Sequence, residues 1–302
     1  VAKTLGYRPN SMARGLVQQR SFTVGLLTND TYGRFTLPVA AGLSEAMVDR
    51  GVSVFLASGQ DDRDLTRLNL EALEEKRVDG LVISGKRVDR ALPVDLSTIQ
   101  IPTVHVMSTC PEGGVGLAPD DRGGAEAATG HLLRAGRRRI AHLTGPREFR
   151  AACLREEGWR ATLAEAGMTP WAPAIFGTWS EMQGYEAAGR MFGPDRKGPG
   201  PDAVFCGNDQ IARGLIDGLS SLGVRVPDDV AVVGFDNWEI FAKATRPPLT
   251  TIDMGLTELG RRAGLRLLEM IDGKPVDPGV SLTPTGLVVR ESCGTMRPGH
   301  LD

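Results

Sequence analysis

The 302-residue chain lacks any apolar run long enough to span a bilayer, because charges, glycine or proline interrupt every candidate stretch. It opens Val1-Ala2-Lys3-Thr4, with neither a hydrophobic export segment nor an initiator methionine, so it reads as a fragment or processed product of a cytoplasmic protein. Cysteine is scarce. Cys110, Cys153, Cys206 and Cys293 lie far apart without a CxxC pair, a pattern that suits reduced thiols better than a disulfide framework. His105, His131, His142 and His300 lack metal-ligand spacing, and no metal or other cofactor is expected. The turn Asn29-Asp30-Thr31-Tyr32-Gly33-Arg34 carries no GxGxxG, and neither GxxxxGK[ST] nor GxSxG occurs anywhere. A nucleotide-dependent enzyme or a serine hydrolase is therefore not expected.

Charge of one sign is also missing. The 35 basic residues nearly balance the 37 acidic ones, for a net charge of −2, so the bulk of the chain does not read as a nucleic-acid surface. The exception is the N-terminus, where Lys3, Arg8, Arg14 and Arg20 precede the first acid, Asp30. The run Arg137-Arg138-Arg139 reads as a solvated turn rather than a second basic patch.

What is present is an alternation of short aliphatic runs with amphipathic stretches. Phe22–Leu27 reads as a buried strand, followed by a helix with Val39, Leu43, Ala46 and Met47 on one face. Val52–Leu56, Gly80–Ile83 and Thr103–Val106 continue the strand series, and a helix marked by Leu65, Leu68 and Ala72 lies between the first two. A second series begins at Arg139–Leu143 and continues through Ala203–Cys206 and Val230–Phe235. Such alternation implies parallel sheets with right-handed crossovers. Two series imply two doubly wound α/β domains, and the absence of a Ser/Gly- or Pro-rich linker implies that the chain passes between them more than once.

Several motifs, in order along the chain, carry a more specific resemblance. They are Leu5-Gly6-Tyr7-Arg8-Pro9-Asn10-Ser11-Met12-Ala13-Arg14-Gly15-Leu16, Val78-Asp79-Gly80, Cys206-Gly207-Asn208-Asp209, Val224–Val230, Val233-Gly234-Phe235-Asp236-Asn237, Pro247–Ile252 and Leu287–Ser292. Together they resemble the LacI/GalR family of transcriptional regulators. That resemblance implies two parallel-sheet lobes of periplasmic-binding-protein type, crossed three times, with a short N-terminal hinge helix. Residues 1–20 would be the end of the DNA-binding headpiece and the hinge, 21–135 with 256–283 the N-terminal lobe, and 136–255 with 284–302 the C-terminal lobe. A helix-turn-helix would lie upstream of Val1. Asn10, Arg14 and Leu16 would contact operator DNA, Leu16 as a minor-groove wedge. A homodimer is expected, since two half-sites call for a two-fold protein.

In open parallel sheets ligands sit beyond the carboxyl ends of strands, where Asn208 and Asp236 fall. Each also matches a ligand position of the family, although Asn208 or Asp209 could equally cap the following helix. The resemblance adds Phe35, Arg155 and Trp179: a guanidinium for paired hydroxyls or a carboxylate, and flat rings for a sugar or purine face. The implied function is a ligand-responsive repressor sensing a sugar or sugar-like metabolite in the cleft between lobes. An exported sugar-binding protein of the same fold is the alternative. Departures stand at Gly33, Arg34 and Thr36 in the first loop, at Met254, and at Gly123, where some relatives carry a carboxylate. Arg34, if turned inward, would favour an anionic ligand.

Overall fold

The computed structural model describes residues 20–194 and 198–295. The expected hinge helix, with Asn10, Arg14 and Leu16, lies outside the described residues. The chain divides into two compact units, 1–118 with 256–281 and 119–255 with 282–302, so it passes between them three times.

In the first unit, β1 (Thr23–Thr28), β2 (Ser53–Ser58), β3 (Gly80–Ser84), β4 (Thr103–Val106), β5 (Val115–Pro119) and β11 (Gly279–Thr283) form a sheet ordered β11-β5-β4-β3-β1-β2. β1 pairs in parallel with β2 and β3, β3 with β4, and β4 with β5. The central strands β1, β3 and β5 are buried nearly throughout, as two-sided parallel sheets require, whereas edge strand β2 leaves Phe55 and Leu56 exposed. Helices α1 (Thr36–Val48), α2 (Arg63–Glu75) and α8 (Leu256–Ile271) cover the sheet. Asp62 caps α2 by accepting the Leu65 amide at 2.8 Å.

The second unit repeats this order. β6 (Ile140–Thr144), β7 (Ile175–Phe176), β8 (Ala203–Cys206), β9 (Ala231–Asp236), β10 (Thr250–Asp253) and β12 (Gly286–Val288) run β12-β10-β9-β8-β6-β7, all parallel except the β10–β12 pair. Its helices are α3 (Asp121–Arg134), α4 (Arg150–Glu165), α5 (Glu181–Phe192), α6 (Asp209–Ser221) and the short α7 (Glu239–Ala244). In both sheets the strand order reverses beside the first strand of its series. The topological switch points thus lie at the carboxyl ends of β1 and β3 in one unit and of β6 and β8 in the other.

One packing device recurs in both units. A Cβ on Gly42 of α1 would meet Thr257 O of α8 at 1.8 Å, and one on Gly260 would meet Val39 O at 2.1 Å. In the second unit a Cβ on Gly214 of α6 would meet Glu181 O of α5 at 1.8 Å, and one on Gly184 would meet Ile211 O at 2.0 Å. Each helix pair therefore touches backbone to backbone, and only glycine admits the approach.

The expected domain boundary needs correction at 119–135. α3 was expected in the first lobe. Instead it packs on α4, with Gly158 so close that its Cβ would meet Arg122 O at 2.5 Å, and Gly124 against the ring of Phe235. The unit boundary therefore precedes α3, and the later one falls at 281/282 rather than 283/284. The Arg137–Arg139 turn binds protein, not solvent alone. The Arg138 and Arg139 amides donate to the Asp202 carboxylate, and Arg137 Nη2 donates to Pro227 O at 2.7 Å. Cys110, Cys153, Cys206 and Cys293 are unpaired. Among the described residues no helix is long and apolar enough to cross a membrane.

Candidate functional site

Asp236 ends β9, where the backbone leaves the strand through two residues at positive φ, Asp236 at 106° and Asn237 at 51°. Such a conformation costs about 1–3 kcal/mol per residue and persists only where neighbours enforce it. They do so here. Asn237 donates to Asp253 Oδ2 and accepts from Arg290 Nη2, both at 2.8 Å. The next amide, Trp238 N, donates to Asp209 Oδ2 at 2.7 Å, and the other Asp209 oxygen takes the Thr251 hydroxyl at 2.5 Å. Asp209 is fully buried and acts as the support of this turn.

Arg155 rises from the first half of α4 and is 4% exposed. Its Nε and Nη2 donate to Asp121 Oδ1 at 2.8 and 2.6 Å, and its Nη1 donates to Gly207 O. The Asp236 carboxylate stands 3.7 Å from Nη1, an ion-pair distance beyond a direct hydrogen bond. The guanidinium carbon lies 3.7 Å from the centre of the Phe235 ring and 5.6 Å from that of Trp179. A buried cation demands such compensation, and the charges and rings supply it.

Trp179 is half-buried, and its indole covers Gly145 just past β6. A Cβ on Gly145 would overlap the ring at 2.0 Å. Phe149 meets Trp179 edge-on, ring centres 5.8 Å apart. Asn208 stands at the end of β8, but its amide serves the fold. Oδ1 caps α6 by accepting the Ile211 amide at 2.8 Å, and Nδ2 donates to Trp179 O at 3.3 Å. The capping alternative describes it, with the added duty of fixing the Trp179 backbone.

Below this cluster His142 of β6 is stacked on Phe205 and donates Nδ1–H to Phe205 O at 2.9 Å. Complete burial, reinforced by the Arg155 charge, pushes its pKa down to about 3, so the imidazole is neutral.

Phe35 belongs to the first unit. It precedes α1, its amide donates to Asp30 Oδ2 at 2.8 Å, and the Arg34 guanidinium lies over its ring at 4.8 Å. Nearby, at the carboxyl ends of the first sheet's strands, Asn29 donates to Asp61 Oδ1 at 2.6 Å and Lys86 pairs with the other oxygen of Asp61. The Lys86 and Asn29 bonds hold the Asp61 carboxyl below its usual range against a raising effect of burial.

The structure thus gathers Arg155, Trp179, Asn208 and Asp236 at the second sheet's switch point. Sequence reasoning missed Asp121, Phe149 and the supports Asp209, Thr251 and Arg290. The available signal for Asp121 was the carboxylate missing at Gly123 and present two positions earlier. A buried charge pair beside a flat aromatic wall can hold a hydroxylated ring, its hydroxyls on the charges and its C–H face on the indole.

Sheet order and site together define a protein of the periplasmic-binding class. The model of the periplasmic binding protein-like domain matches residues 129–293. Over 267 residues the chain is 34% identical to the ribose operon repressor of Escherichia coli K12, covering 86% of this chain and 79% of that protein. It is 32% identical over 301 residues to the transcriptional repressor PurR of Haemophilus influenzae, covering 96% and 87%. Among solved structures it resembles the lac repressor dimer bound to operator and the anti-inducer ONPF, with TM-score 0.77, 27% identity and 97% and 87% coverage. It also resembles the complex of the regulator CelR with cellobiose, with TM-score 0.74, 29% identity and 96% and 88% coverage. The chain belongs to the LacI/GalR family of transcriptional regulators.

Proposed function

We propose that this chain is the effector-binding core of a cytoplasmic repressor, without enzymatic activity, that senses a sugar or sugar-like polyol at the second unit's switch point. The observation that carries this is the buried Arg155–Asp236 pair beside the half-buried indole of Trp179. The named relatives are repressors matched over most of their length, which favours a regulator over an exported binder. Similarity to a ribose operon repressor and to a CelR–cellobiose complex makes ribose and cellobiose the first compounds to try. Arg155, Asp236 and Trp179 would contact the effector, while Asn208 would position Trp179. As a homodimer the protein would grip its operator through a helix-turn-helix and through Asn10, Arg14 and Leu16.

Effector and operator binding are coupled reciprocally, typically by about 1–3 kcal/mol. Release of DNA by the effector is the expected sign. The test is operator affinity of the full-length protein, titrated with ribose, cellobiose and a wider sugar panel. A bound sugar that leaves operator affinity unmoved would reject the coupling. Sugar binding unchanged in both Trp179→Ala and Asp236→Ala would reject the site.

A further inference from the structure

We propose that Asp121 is a specificity-determining residue that makes the site select uncharged hydroxylated effectors and reject sugar acids and phosphates. The proposal rests on the site reading above and adds to it the charge class of the ligand.

Arg155 already has three of its N–H groups engaged. One carboxylate oxygen of Asp121 takes two of its N–H groups, and Gly207 O takes a third. Both side chains are buried, at 5% and 3% exposure, so their mutual compensation is not diluted by water. With Asp236 at 3.7 Å, the cluster holds one cation and two carboxylates and is net negative. The other nearby groups do not reverse that sign. His142 is neutral, Arg150 pairs with Glu157 at 3.1 Å, and at the Asn237 turn the single cation Arg290 stands with two more carboxylates, Asp253 and Asp209.

Hydrogen-bonding chemistry points the same way. The gap between Arg155 Nη1 and Asp236 Oδ1 is too long for a direct bond. A hydroxyl can accept from the guanidinium and donate to the carboxylate, because it does both. A carboxylate or phosphate oxygen accepts only, and against Asp236 it would place like charges together across a desolvated contact, which disfavours binding. Without Asp121, Arg155 would have charge to spare for an anion.

The test is calorimetry on matched pairs: glucose with glucuronate, galactose with galacturonate, and ribose with ribose 5-phosphate. Wild-type protein should take a neutral member and bind its anionic counterpart at least about a hundredfold more weakly. Asp121→Asn keeps the shape and one acceptor for Arg155, and should narrow that ratio about tenfold or more. An anionic member bound as tightly as its neutral partner, or a ratio unchanged in Asp121→Asn, overturns the proposal. Binding unchanged in both Trp179→Ala and Asp236→Ala instead overturns the location of the site.

A second arm needs no effector. Iodide quenching assigned to Trp179, taken as the difference from Trp179→Phe, should rise about twofold in Asp121→Asn while quenching by neutral acrylamide stays constant. An equal iodide response in wild type and Asp121→Asn would count against the charge argument whichever sugars bind.

Discussion

The carboxyl edges of the two sheets share a strand order and differ in where they put their charges. In the second unit Arg155 and Asp121 are 5% and 3% exposed, whereas in the first Lys86 and Asp61 are 37% and 43% exposed. The same kind of pair therefore has different weight. An exposed pair contributes about 0–1 kcal/mol, while removing one partner of a buried pair costs about 3–5 kcal/mol. The helices behind the two edges show the reverse, a common solution, since both units bring a helix pair into backbone contact through facing glycines. Scaffold is shared and chemistry is not, as expected where function is grafted on a repeated fold.

The largest predicted effect sharpens the contrast at the edges. Arg155→Ala strands Asp121 and Asp236 in a buried site and should cost about 3–5 kcal/mol in a denaturant titration, with loss of effector binding. A cost below about 1 kcal/mol would erase the distinction between the two edges. Next come the glycines, where the units should behave alike. Gly42→Ala and Gly214→Ala each drive a methyl into a facing carbonyl and should each cost about 1–3 kcal/mol. A large effect in one unit only would break the parallel.

Acid should act through the second unit. His142 stays neutral when folded, with a pKa of about 3, but protonates near 6.5 once unfolded. Its contribution is intact above pH 6.5 and declines as pH falls toward 3, because the unfolded state then binds the extra proton. At pH 5 the loss is about 2 kcal/mol. In His142→Gln the stability–pH curve should flatten over that range, and an unchanged slope would remove His142 as its source. The smallest effect belongs to the first unit. Lys86→Ala, breaking an exposed pair, should change stability by about 0–1 kcal/mol, measured at low salt.

Much of the fold was legible along the chain. β1, β6 and β9 lie within one residue of the expected runs, because a buried parallel strand is a short continuous aliphatic stretch. β11 and β12 were not, and their residues show why: β11 is exposed at four of its five positions and β12 has three residues, so neither leaves a hydrophobic period. Of the site, Asp236 and Asn208 stood out by following strands, yet only the structure separates them. Asp236 faces Arg155, and Asn208 spends its amide on a helix cap and on Trp179.

By itself the sequence determined what is local or ordered along the chain: the strand–helix alternation, the two series, the chain's family and the residues that follow each strand. These depend on periodicity and short motifs, which neighbouring residues carry. The tertiary structure decided that α3 packs on α4 in the second unit. It paired Arg155 with Asp121, 34 positions away, and placed Asp236 within 3.7 Å of the Arg155 guanidinium. It also buried one charge cluster while leaving the other in water. Burial and ion pairing are relations between distant residues, and their energies depend on the dielectric that the folded chain creates around them.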